Sequence, residues 1–92
     1  MPDSSISKTD VRLRQLLIDL LGLTPARAQA LRPDSGLFGT MPELDSMAVA
    51  GLLTEIEDSF GFIIDDADVD GDMLATFGSL SAYIRQKINT GT

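Results

Sequence analysis

Apolar residues recur at three- and four-residue spacing through Val11, Leu13, Leu16, Leu17, Leu20 and Leu21, which predicts a first helix with one broad apolar face. Ser7 or Thr9 is placed to cap it, and Asp10 in its first turn suits the positive end of the helix dipole. Gly22 supplies a stop, and Leu23-Thr24-Pro25 opens a connection. Inside that connection, Ala-Arg-Ala-Gln-Ala at 26–30 suits a short helical turn. From 32 to 41, Pro33, Asp34, Ser35, Gly36, Gly39 and Thr40 predict irregular backbone. Leu37 and Phe38 are the exceptions, and both are expected to tuck against the core and fix the loop there. Connections this long are unusual in compact domains and are often functional.

A second helix is predicted over 45–60. Its apolar positions Met47, Val49, Ala50, Leu52, Leu53, Ile56 and Phe60 span more than a narrow stripe, the pattern of a helix buried on two sides. Gly51 costs this helix about 1 kcal/mol relative to Ala, and reads either as close approach by another group or as simple tolerance. Gly61 ends it. Phe62-Ile63-Ile64 has no second strand to pair with and reads as an extended segment packed on the core. Residues 65–74 suit a short third helix weakened by Gly71. Ser79 is expected to cap the last helix, which carries Leu80, Tyr83, Ile84 and Ile88 at helical spacing, with Arg85 and Lys87 near its negative end. The expected fold is all-α: a small four-helix bundle with a long first loop and a short third helix. One domain is expected over 7–89, with 1–6 and 90–92 disordered.

Composition narrows the chemistry. With 92 residues, 43% hydrophobic and 5% aromatic, the core is aliphatic and modest. There is no cysteine, so no disulfide, thiolate metal site or thiol nucleophile. There is no histidine either, which removes the commonest general base near neutral pH and the commonest zinc ligand. No apolar run approaches a membrane span and the N-terminus lacks a signal-peptide core, so a cytoplasmic location is expected. A formal net charge of −7 argues against nucleic-acid binding and favours basic partner surfaces. Ten of the 14 acids lie between Glu43 and Asp72, and no Lys or Arg stands between Arg32 and Arg85. That run reads as a solvated face or as a surface for basic partners.

Leu44-Asp45-Ser46-Met47 stands at the mouth of the second predicted helix. Asp45 suits an N-cap whose carboxylate accepts from the free N–H of Met47 or Ala48. Ser46, just inside the helix, holds its hydroxyl at the surface, and a phosphate joined there would meet free N–H groups and the positive dipole end. Capping alone and capping with attachment both account for the pair.

Other motifs carry less. Asp66-Ala-Asp68-Val-Asp70-Gly71 matches the first six positions of a calcium-binding loop, but position twelve, where a bidentate carboxylate is needed, is Phe77. Weak association of divalent cations that relieves repulsion is the milder reading, and no metal ligand set is assigned. Ser5-Ile6-Ser7-Lys8 formally matches the Ser-x-x-Lys of penicillin-binding enzymes, in a chain too short to build such a site. Ser46 has no histidine to activate it and no Gly-x-Ser-x-Gly elbow around it, so it does not read as a catalytic nucleophile. A chain so poor in catalytic chemistry, displaying one hydroxyl, suits carrying a group for other enzymes.

Leu44-Asp45-Ser46-Met47 resembles the Asp-Ser-Leu motif of acyl carrier proteins, with Met in place of Leu. The resemblance extends through Glu55-Ile56-Glu57-Asp58-Ser59-Phe60-Gly61, Ile64-Asp65-Asp66 and Gly78-Ser79-Leu80-Ser81-Ala82-Tyr83-Ile84, covering about residues 8 to 88. The Met-Pro-Glu-Leu-Asp-Ser-Met-Ala-Val form (41–49) is similar to the stand-alone carriers associated with exosortase and polysaccharide gene clusters.

The resemblance implies a right-handed four-helix bundle and a 4′-phosphopantetheine arm attached to Ser46, with Asp45 completing the motif and acyl groups carried as thioesters. It implies a non-catalytic carrier whose partners are a phosphopantetheinyl transferase, an acyl-loading ligase and acyltransferase-type enzymes with basic surfaces. Met47, Glu55 and Asp58 are the expected recognition residues. An acyl pocket is expected on the inner face of the second helix, lined by Met47, Ala50, Leu53, Ile64 and Leu74. A monomer is expected. The chain departs from the family at Ala48 and Gly51, where members often place acids, so its surface near Ser46 is less acidic than usual. A small acidic helical interaction domain without modification is the competing reading, and a divalent-cation binder is a third.

Overall fold

A computed structural model describes residues 8–90, and side chains over 8–88. The described residues form five α-helices in the order α1 (Lys8–Leu21), α2 (Pro25–Gln29), α3 (Ser46–Phe60), α4 (Gly71–Ala75) and α5 (Phe77–Thr90), with a 3-10 turn at Asp66–Asp68. The three long helices and short α4 make up the expected bundle, and α2 is an added turn inside the first connection. Disorder expected at 1–6, a cap at Ser7, and the end at 91–92 fall outside the described residues.

The core is aliphatic, as the composition requires. Leu13, Leu17, Leu37, Leu52, Ile56, Leu80 and Ile84 are fully buried, with Phe77 the one large ring among them. Each such side chain contributes about 1.5–3 kcal/mol relative to exposure. Arg14 ties three elements at one end of the bundle. Its guanidinium donates to the Ala28 carbonyl of α2 and lies over the Phe77 ring of α5, 4.5 Å from the ring centre.

Helix ends follow local chemistry. Gly22 (φ 72°) and Gly61 (φ 77°) take the left-handed conformation that L side chains resist, and each donates its N–H back into the helix it ends, to Ile18 and Glu57 respectively. Thr24 caps α2 by accepting from the N–H of Arg27 at 3.1 Å, with Pro25 at the first helical position. Thr9 lies buried inside α1 and does not cap it. Gly71 opens α4 instead of weakening it, because Asp70 caps there and accepts from the Met73 N–H at 2.8 Å. Ser79 is not the cap of α5. Thr76 holds that position, and the two close a reciprocal box: Ser79 N–H donates to Thr76 Oγ1 at 3.0 Å and Thr76 N–H donates to Ser79 Oγ at 3.1 Å. Helix α5 runs on to Thr90.

Residues 62–64 lie outside any helix or strand, with Ile64 buried and Ile63 turned out to solvent. The Ile64 N–H is taken by the Glu57 carboxylate at 2.7 Å, which ties this segment back to α3. Phe62 meets the Tyr83 ring edge-on, 6.3 Å between centres.

The long loop is stitched to the start of α5 by its backbone. Gly78 N–H donates to Pro33 O, Phe77 N–H to Ser35 O, Leu37 N–H to Ala75 O and Phe38 N–H to Leu74 O, at 2.8 to 3.1 Å, with Gly36 and Thr76 bridged antiparallel. Leu37 is fully buried, as expected. Phe38 is not: its ring is 41% exposed, because the anchored backbone sends the two neighbouring side chains to different sides.

Candidate functional site

Loop and helix meet at Asp45–Ser46. Asp45 has an extended backbone (φ −91°, ψ −175°) and its Oδ1 accepts the Ala48 N–H at 2.9 Å, while its carbonyl accepts from Val49 N–H. Ser46 is thus the first residue of a 15-residue helix, with its side chain exposed. The N–H groups of a first helical turn have no intrahelical acceptor and carry the positive end of the dipole. An anionic group on the Ser46 hydroxyl would sit beside them. Behind the site, Leu44 is buried and its N–H donates to Met41 O, so the approach to the helix is a packed turn.

The loop before Ser46 is pinned by charge as well. Arg27 of α2 donates to and pairs with the Glu43 carboxylate. The hydrogen bond from Arg27 lowers the Glu43 pKa from its ordinary value, and the same bond raises that of Arg27. Phe38, Gly39, Thr40, Met41, Pro42, Leu44, Asp45 and Ser46 enclose an open groove of about 500 Å³. Nothing in the hydrophobic spacing pointed to this groove; the one hint was an aromatic residue in a glycine-rich loop.

The expected recognition residues lie on the outside of α3. Met47 is 85% exposed, and Glu55 and Asp58 are exposed. Met47, Gly51, Thr54 and Asp58 are four, three and four residues apart and so share one face. Glu55 lies round the helix from them, beside Leu16, Asp19 and Leu20 of α1. Between Asp45 and Glu55 this helix carries no ionisable side chain.

The expected acyl pocket does not assemble as drawn. Met47 and Ala50 are exposed, because the inward direction of α3 is set by fully buried Leu52 and Ile56, and both residues lie on the opposite side of the helix. Leu53 is half-buried, and Ile64 and Leu74 are buried in the core. Two of the three carboxylates of the calcium-loop pattern have protein partners: Asp70 caps α4, and Asp68 accepts from the Tyr83 hydroxyl at 2.9 Å and pairs with Lys87 at 3.4 Å. Among the described residues no group of three acids is gathered to hold a metal ion, and no helix is long and apolar enough to cross a membrane.

The family model described as the phosphopantetheine attachment site matches residues 11–84. No curated protein matches the chain. Among solved structures, the holo acyl carrier protein of Nitrosomonas europaea is similar at 35% sequence identity, with a TM-score of 0.81 over 90% of this chain and 99% of that one. An exposed hydroxyl at a capped helix start, beside an open groove, fits the group for which the family is described. The chain belongs to the phosphopantetheine-attachment family of acyl carrier proteins, a non-catalytic carrier whose cofactor is covalently held 4′-phosphopantetheine.

Proposed function

We propose that Ser46 is the attachment residue and that the chain presents acyl groups to partner enzymes. The observation that carries this is the exposed Ser46 hydroxyl at the first position of α3, with Asp45 closing the turn through Ala48. When bound, the arm supplies a thiol on which an acyl group rides as a thioester.

The chain's own residues have three tasks. Ser46 offers its hydroxyl, whose proton passes to a base on the transferase. Asp45 holds the first turn in place. Met47, Glu55 and Asp58 are the recognition residues: Met47 and Asp58 on one face of α3 give apolar contact next to Ser46 and a carboxylate for basic groups, and Glu55 on the adjoining side gives a second carboxylate. The partners are a phosphopantetheinyl transferase, which draws on coenzyme A, and acyl-loading and acyltransferase-type enzymes. A cytoplasmic monomer is the form in which such partners would meet it. The similarity of residues 41–49 to stand-alone exosortase-associated carriers points to that subtype.

The absence of cysteine makes a clean test. The holo protein, incubated with a loading ligase, ATP and a fatty acid, should gain one acyl group that hydroxylamine releases. An acyl group resistant to hydroxylamine, or one gained equally by apo protein, would contradict the reading.

A further inference from the structure

The Phe38 ring is an exposed aromatic on an anchored backbone. Its N–H is held by Leu74 O at 3.1 Å, and the preceding Leu37 is locked into the core. The next residues turn tightly, with Thr40 and Met41 both donating to Leu37 O, and the Arg27–Glu43 pair fastens the far side. The groove that begins at Phe38 and ends at Ser46 is therefore a preformed feature. Its floor is apolar, from Met41 and Leu44, with Pro42 beside them, and its rim is polar, from Thr40, Asp45 and Ser46. Gly39 leaves the rim low: it has φ +91°, and a Cβ built there meets nothing within 4 Å.

We propose that this groove is the resting seat of the protein's own prosthetic arm, with the Phe38 ring as its wall, on the loop side of Ser46 and away from the α3 core face. The inference rests on attachment at Ser46. Three features support it. Ser46 itself lines the groove, so a group joined to it starts at the rim. A short flexible tether gives its far end an effective concentration of about millimolar, so a shallow seat fills without high intrinsic affinity. The pantetheine chain alternates amide groups with methyl and methylene groups, which suits an apolar floor bordered by hydroxyl and backbone groups. On the core face, by contrast, Leu52 and Ile56 are fully buried, and an arm entering there would have to displace packed side chains.

The test compares apo and holo protein by two-dimensional amide NMR, with intact mass reporting one arm per chain. Wild-type protein should show shifts at Phe38, Gly39 and Thr40 as well as at the attachment turn. Phe38→Ser, loaded to the same mass, should lose the shifts at Gly39 and Thr40 and keep those at Met47 and Ala48. The chain has no tryptophan, so Phe38→Trp provides a single reporter whose emission should change on loading. Full loading with shifts confined to 45–49, with shifts centred on Leu53, Ile64 and Leu74, or with unchanged tryptophan emission would overturn the seat and leave attachment standing. Failure of wild-type protein to gain the arm would overturn both.

Discussion

The Asp45 carboxylate accepts the Ala48 N–H at 2.9 Å, so the helix that presents Ser46 is closed by the residue immediately before it. The motif thus does two tasks with adjacent side chains: one ends the loop and the other is displayed.

Asp45→Ala should lower stability by about 1 kcal/mol, the usual cost of losing an N-cap. Asp45→Asn keeps a cap oxygen and should fold as stably as the parent. We expect the transferase to modify the Ala variant more slowly, since its first turn frays around Ser46. Urea denaturation and a modification time course check both points. An Ala variant as stable and as quickly modified as the parent would show that the cap matters to neither.

Gly78 touches the loop with its backbone. A Cβ there would lie 2.6 Å from Pro33 O and 3.0 Å from Pro33 Cα, and the Gly78 N–H already donates to that carbonyl at 2.8 Å. Neither neighbour is a side-chain end that can swing away. Gly78→Ala should therefore cost about 1–3 kcal/mol, as overpacking against a fixed group does. A melting temperature equal to the parent's would show that the Pro33 carbonyl is not held against Gly78.

Gly51 gives the opposite expectation. A Cβ at this position would meet only the Leu20 methyl groups, at 3.7 Å and 3.9 Å, which is ordinary contact. Of the two readings open for this glycine, nothing within the chain requires close approach. Gly51→Ala should stabilise the protein by about 1 kcal/mol through helix propensity. A loss of stability in chemical denaturation would point to strain in α3.

Tyr83 is the sole tyrosine, and its pKa is pushed up to about 12, first by burial and then by its hydrogen bond to Asp68. The ordinary value is 10.0. The folded state therefore holds this proton more tightly than the unfolded chain does. The stabilising contribution is complete below pH 10.0 and is lost as pH rises toward about 12. Tyrosinate absorbance should appear late in the folded protein, and Tyr83→Phe should flatten the alkaline loss of stability. Titration near 10.0 with the fold intact would refute the assignment.

Much of the fold was legible because helices leave periodic marks. The spacing of Leu13, Leu16 and Leu17, the stops at Gly22 and Gly61, and the cap at Asp45 are all local features. The loop was not legible, because its stitches join backbone groups of Pro33, Ser35, Leu37 and Phe38 to residues about forty positions away, and backbone bonds carry no residue code. The outward turn of Phe38 was hidden for the same reason. Met47, expected both in the pocket and on the recognition surface, and Ala50 lie outside, because apolar residues run round most of α3 and their spacing alone does not fix its inward direction. A wheel centred on Leu52 and Ile56 would have put both outside. Glu57 looked like one more acid of a charged run, and only the path of 62–64 shows that it receives the Ile64 N–H.

Attachment at Ser46 is tested most directly by intact mass after incubation with coenzyme A and a phosphopantetheinyl transferase. Wild-type protein should gain one phosphopantetheine group per chain, and fragmentation should place it on Ser46. Ser46→Ala should fold with the parent's stability, since Asp45 still caps α3, and should gain nothing. Continued loading of the Ala variant, or no loading of the folded wild-type protein, would contradict attachment at Ser46.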